Sequence, residues 1–260
     1  MRQATLLATF LVLPGCVRSS FNLATQREEY TITSTEKEVE TGRKLAKQAM
    51  RELEVAADEP LQSRVRAIGE RIVAVCDRQE LVYTFTVVHD DEVNAFSLPG
   101  GYVFVNDGLI KKTANDDELA GVIAHEVAHV TARHSVKRYE SNLGLQLAQL
   151  AALASRQGQA ARGVSAALLT AQLAYARQDE LEADRLGVKY MKLAGFDPKG
   201  ILTFLEKLYE LDRGKVRYLP RGIVRPHYAM THPYVPERLR AVKEALFGVA
   251  DYIDYLNTPN

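Results

Sequence analysis

The chain has 260 residues, 47% of them apolar and 25% charged, with 33 Lys and Arg balanced by 33 Asp and Glu. That is the make-up of a globular chain long enough for one sizeable core. It lacks the basic surplus on which nucleic-acid binding rests, so no nucleic-acid partner is expected.

Arg2, the apolar run Ala4 to Leu13, and then Pro14-Gly15-Cys16 open the sequence. A positive start, a short apolar stretch and a small residue before a cut site predict a signal peptide over residues 1–15. The run falls short of the roughly 20 apolar residues that cross a bilayer. Leu13-Pro14-Gly15-Cys16 resembles the lipobox of bacterial lipoproteins. The resemblance implies a lipid on Cys16, a membrane anchor through it and a periplasmic location, at the outer membrane since no Asp follows Cys16. It also leaves Cys76, the other cysteine, unpartnered and suited to a buried apolar position. Residues 16–35 are rich in Ser, Thr, Asn and Gln and read as a tether.

From Glu36 the pattern turns helical, with Val39, Leu45, Ala46, Ala49, Met50 and Leu53 at helical spacing. A second helix follows Pro60, with Leu61, Val65, Ile68, Ile72 and Val75 on one face. Residues 81–88 are dense in β-branched and aromatic side chains and predict a strand. Asn94–Leu98 and Tyr102–Asn106 predict two more, separated by the turn signal Pro99-Gly100-Gly101. Asn115 suits a helix N-cap, with Glu118 three residues on as its capping-box partner.

The helix opened by Asn115 carries His125-Glu126-Val127-Ala128-His129. Residues i and i+4 lie one turn apart on one face, so both imidazoles reach one ion, and Glu126 stands at the edge of that face as a base for water. Apolar neighbours Val122, Ile123 and Val130 bury this helix, and buried His and Glu need a partner that a metal supplies. His134 lies five residues past His129, off the ligand face. It reads, like His89 and His227, as a surface or structural residue.

Residues 143–176 are Ala-, Leu- and Gln-rich and helical in pattern. With Gly144, Gly158 and Gly163, residues 140–175 suit either a lid or a core helical hairpin. A helix is expected over about 173–193, ending at Gly195, and another from Asp197-Pro198. The first of these carries Gln178-Asp179-Glu180-Leu181-Glu182-Ala183-Asp184. Glu180 and Asp184 share a face, while Glu182 points elsewhere. A catalytic zinc takes three protein ligands, so Glu180 is the candidate third ligand, with Asp184 orienting a His ring nitrogen, and the alternative is a solvated charged helix face. Residues 214–236 read mostly as loop, and a last helix runs from Glu237 to about Tyr255.

H-E-x-x-H, then E-x-E-A-D, then Thr231-His232-Pro233, preceded by Asn94 to Val103, resembles the HtpX/BepA-type zinc metalloproteases, kin of the CAAX prenyl proteases. The resemblance covers about Glu36 to Phe247 and implies one zinc per chain, with Glu180 as third ligand. The implied fold is α+β, a mainly helical zincin-like metallopeptidase domain over 36–255 with a small antiparallel sheet beside the motif helix. The implied reaction is hydrolysis of peptide bonds in misfolded cell-envelope proteins, by water activated through zinc and Glu126. His232 and, six residues on, Arg238 become candidates to stabilise the oxyanion. In BepA-like members the equivalent His can also occupy the fourth zinc position and hold the enzyme latent, which the resemblance offers as a second role for His232. HtpX and the prenyl proteases span the membrane several times, and this sequence has no such run. The alternative is a chaperone-like envelope assembly or binding factor with a latent zinc site. For peptide binding, Gly101, Tyr102 and Val103 suggest an exposed strand edge to which substrate adds.

Overall fold

The computed structural model describes residues 18–141, 176–215 and 232–248. The signal segment, Cys16, His227, residues 142–175 of the expected lid or hairpin, and residues 249–255 of the expected last helix lie outside the described residues.

Two strands begin the described chain, β1 (Arg18–Asn22) and β2 (Arg27–Thr31), paired antiparallel. The tether expected here is instead a docked hairpin. Its polar residues are tied down: Asn22 donates to the Thr131 carbonyl at 3.1 Å, Lys137 donates to Glu29 at 2.9 Å, and Thr31 donates to Glu140. Composition alone does not distinguish a solvated segment from one whose side chains bond to the body.

Two helices follow, α1 (Thr35–Glu52), capped by Ser34, and α2 (Glu59–Val73), capped by Asp58. Strands β3 (Thr84–Val88), β4 (Ala95–Leu98) and β5 (Tyr102–Asn106) form one sheet in the order β3-β5-β4. The sheet is mixed rather than antiparallel: β3 runs parallel to β5, and β4 antiparallel to it. Gly100 and Gly101, with φ of +80° and +97°, make the β4–β5 turn. The turn lies under α1, where a side chain on Gly42 would collide with the Pro99 carbonyl. Buried Glu38 accepts there from the Gly100 N–H and pairs with Arg78 and Arg133.

A short turn α3 (Asp107–Ile110) leads to α4 (Asp116–Thr131), the centre of the molecule. Fourteen of its sixteen residues are buried, with α2, β4, α5 (Arg177–Leu193) and α6 (Lys199–Lys215) packed around it. Gly121 lets α6 approach closely: a Cβ there would stand 2.9 Å from the Ile201 backbone. A final helix α7 (Val235–Phe247) packs on α5 and α6 and ends at Gly248. Among the described residues no helix is long and apolar enough to cross a membrane.

Asn115 caps α4 by accepting from the Glu118 N–H at 3.0 Å. Glu118 itself reaches back one residue further than a capping box, to the Ala114 N–H at 2.7 Å, and also takes bonds from Thr203 and Lys207 of α6. Burial raises its carboxyl pKa, but Lys207, the Ala114 N–H and Thr203 outweigh that and hold it below its ordinary value of 4.5. A depressed carboxylate stabilises the fold above its unfolded pKa and ceases to do so as pH falls through the folded one. Glu118→Gln is therefore expected to cost on the order of 1–3 kcal/mol at pH 7. The gap to wild type should narrow as pH drops below about 4.5, as urea midpoints across pH 3–7 will show.

Candidate metal centre

The helical register of α4 stacks His125 and His129 with their Nε2 atoms 3.0 Å apart. Helix α5 brings in Glu180, with Oε1 3.3 Å from His129 Nε2 and Oε2 3.5 Å from His125 Nε2. The segment before α7 adds His232, its Nδ1 3.3 Å from His125 Nε2 and 3.2 Å from Glu180 Oε1. All four side chains are buried and all four donor atoms lie within 4.8 Å of one another. A tetrahedron of N and O donors about 2.0–2.1 Å from zinc has edges of about 3.3 Å. The spacings, the donor types and the burial of this group all fit that ion. The ligand trio expected from sequence is thus brought together. His232, expected to steady an oxyanion, joins it as a fourth donor, and its other nitrogen, Nε2, sits 3.3 Å from the Ala95 carbonyl.

Glu126 is buried, and neither carboxylate oxygen has a hydrogen-bond partner among the described residues. Its Oε1 is 3.4 Å from His232 Nε2. A buried carboxylate with so long a contact and no hydrogen bond is costly, which fits a group kept ready for a proton.

Asp184, expected to orient a His ring nitrogen, has its Oδ1 2.9 Å from His125 Nδ1. Arg238 differs from its expected role. Its Nε and Nη2 bond Asp184 at 2.8 Å each, and Nη1 reaches Glu180 Oε2 at 2.9 Å. This bidentate commitment places the guanidinium behind the donors, neutralising carboxylates, rather than facing a reacting carbonyl. Burial and the Arg238 charge push the His125 pKa down, but Asp184 and Glu180 outweigh them and raise it to about 9. Burial drives His129 well below the ordinary imidazole value, only partly offset by Glu180. Burial would raise Glu180, yet Arg238 and His232 hold it well below the usual carboxylate range.

Two residues set aside in the sequence meet at this site. His134, fully buried, has its Nδ1 3.0 Å from His129 Nδ1, and its Nε2 lies 3.3 Å from Glu182. Sequence spacing misplaces His134 because α4 stops at Thr131. Arg133 takes a left-handed conformation (φ 57°), and a new helical segment starts at residue 134.

Tyr102 and Val103 fail as an exposed edge because β5 is the central strand, and Gly101 is packed against the Val82–Tyr83 backbone. The outer side of β3 is covered by Glu54–Ala56 and by Gln62. The strand that runs beside the metal centre is β4. Asn94 bonds toward β5, so by alternation Ala95 and Ser97 turn their backbone groups away from it, where the Ala95 carbonyl meets His232 and the Ser97 carbonyl accepts from Ser135 at 3.3 Å.

A model of peptidase family M48 matches residues 59–246. Over 192 residues the chain is 34% identical to the beta-barrel assembly-enhancing protease of Escherichia coli (strain K12), spanning 70% of this chain and 38% of that protein. It is 32% identical over 216 residues to a putative beta-barrel assembly-enhancing protease of Vibrio cholerae, spanning 77% and 43%. Against the mitochondrial metalloendopeptidase OMA1 of Schizosaccharomyces pombe it is 33% identical over 190 residues, spanning 72% and 53%. The chain therefore matches only about two fifths to one half of the length of these curated relatives.

Arg238→Ala would leave Asp184 and Glu180 buried without their guanidinium. Breaking a buried pair of this kind costs about 3–5 kcal/mol. Chemical denaturation of chelator-treated protein should show a loss of that order, and a change below about 1 kcal/mol would contradict the assigned role.

Proposed function

The chain belongs to peptidase family M48, and from that premise we propose that it is a zinc-dependent metalloendopeptidase acting on proteins of the cell envelope. The observation that carries the reading is the buried His125, His129, Glu180 group with the orphaned carboxylate of Glu126 beside it. Zinc held there would act as a Lewis acid, polarising the scissile carbonyl and making a water acidic enough to lose its proton near neutral pH. Glu126 would serve as the general base toward the attacking water and pass its proton to the leaving amine. Asp184 fixes the His125 ring through Nδ1, and Arg238 holds Asp184 and Glu180 in place. The peptide backbone would add along β4 once the Ala95 and Ser97 carbonyls, held here by His232 and Ser135, are released.

His232 gives the site its regulation. With its Nδ1 among the donors, four protein groups surround one point, the closed arrangement typical of structural zinc, whereas a catalytic centre keeps one position open. On this reading His232 would withdraw before substrate enters, and its place among the donors supports a latent state. The same closure supports a second reading, a chaperone-like envelope assembly or binding factor that keeps its zinc site shut. The names of the beta-barrel assembly-enhancing proteases support an envelope setting. The N-terminal pattern supports secretion to the periplasm and a lipid anchor at Cys16, probed by lipid labelling of wild type and Cys16→Ser. Misfolded envelope proteins are the substrate class proposed.

Unfolded casein provides the test, with residues 17–260 as enzyme. Glu126→Gln should keep zinc and lower cleavage by roughly 10²–10⁴-fold. His232→Ala should raise cleavage several-fold by opening the fourth position. Cleavage equal in wild type and Glu126→Gln would sink the peptidase mechanism. Zinc in all three proteins, with cleavage in none, would favour the binding-factor reading.

A further inference from the structure

We propose that His134, backed by Glu182, is a positioning residue that fixes His129 in the tautomer and orientation a metal ligand requires. The inference rests on the zinc reading above and extends it outward from the donors.

Two imidazole Nδ1 atoms lie 3.0 Å apart, between His129 and His134. Both cannot carry a proton and both cannot be bare, since one must donate to the other. His129 Nε2 is the atom that faces His125 and Glu180, so it must be the bare one when a metal is bound. The proton of His129 then sits on Nδ1 and is donated to His134 Nδ1. That in turn places the His134 proton on Nε2, which lies 3.3 Å from Glu182 Oε2 and 3.5 Å from Asp179 Oδ1. Each donor in this chain meets an acceptor, and the order of protons is set from the metal outward. Arg27 of β2 lies 3.3 Å from Glu182 Oε1, so the chain of contacts ends on the N-terminal hairpin.

His125 and His129 are thereby oriented in different ways. His125 has a carboxylate, Asp184, on its outer nitrogen. His129 has a second imidazole there, and the carboxylate stands one residue further back. Such outer partners set ring orientation and ligand basicity, and losing one weakens metal binding by about 10–100-fold. The geometry depends on the left-handed Arg133, which swings His134 back toward His129. Arg133 is itself pinned by the Thr33 carbonyl at 2.7 Å and Glu38 at 3.2 Å.

The test compares wild type, His134→Ala, His134→Gln and Glu182→Ala. Zinc affinity is read by competition with a chromophoric chelator, and site symmetry by the visible spectrum of the cobalt(II)-substituted protein. Melting of the metal-free form reports folding for each. His134→Ala is expected to bind zinc about 10–100-fold more weakly and to shift the cobalt bands. His134→Gln, whose amide oxygen can accept from His129, should recover most of both. Glu182→Ala, at the rim of the site, should lose affinity in the same direction by a smaller factor, and it serves if His134→Ala fails to fold. Wild-type affinity and an unchanged cobalt spectrum in folded His134→Ala, or in Glu182→Ala where the first is unfolded, would overturn the inference alone. Failure of the wild type to bind zinc would overturn the metal centre and this inference with it.

Discussion

Everything in this molecule depends on keeping charged and titratable side chains inside an apolar helix bundle. Helix α4 is buried nearly all round, yet it carries His125, Glu126 and His129 into the core. Burial of that kind is unfavourable by several kcal/mol per charge unless each group is paired. The surrounding elements supply the pairs. Helix α5 brings Glu180, Glu182 and Asp184, the segment ahead of α7 brings His232, and α7 itself brings Arg238. Both carboxylate oxygens of Glu126 lack a hydrogen bond among the described residues, with His232 Nε2 3.4 Å from one of them, which supports its proposed role as the base.

The rest of the fold can be understood as the scaffold for that arrangement. Gly121 and Gly200 remove the side chains that would hold α6 away from the start of α4. Thr131 and Tyr190 hydrogen-bond at 3.0 Å between the far end of α4 and α5, and Tyr190 donates onward to Asp77 at 2.6 Å. Glu38 gathers Arg78, Arg133 and the Gly100 turn beneath α1. The sheet then presents β4 along the metal centre, with the Ala95 carbonyl in contact with His232.

Local periodicity made much of this legible. The i, i+4 spacing of His125 and His129, and again of Glu180 and Asp184, follows from helix geometry and needs no tertiary knowledge. Caps at Asn115 and the glycine at 195 were equally local. The misses are non-local. Which strand lies in the middle of a three-stranded sheet depends on pairing partners far apart in sequence, so β5 read as an edge. His134 was misplaced because its direction hinges on one left-handed residue, Arg133, whose conformation is held by Thr33 and Glu38 about a hundred residues away. Polar composition hid the hairpin at 18–31, whose side chains bond to the helical body. Arg238 comes from the family resemblance, but its role depends on the carboxylates it meets.

The most direct test of the account is zinc K-edge X-ray absorption on the purified chain with its metal content determined. The account predicts one zinc per chain, with a single shell of four N and O donors at about 2.0–2.1 Å and the outer-shell scattering of imidazole. A chain that takes up no stoichiometric zinc, or holds it in a six-oxygen shell without imidazole, would contradict it.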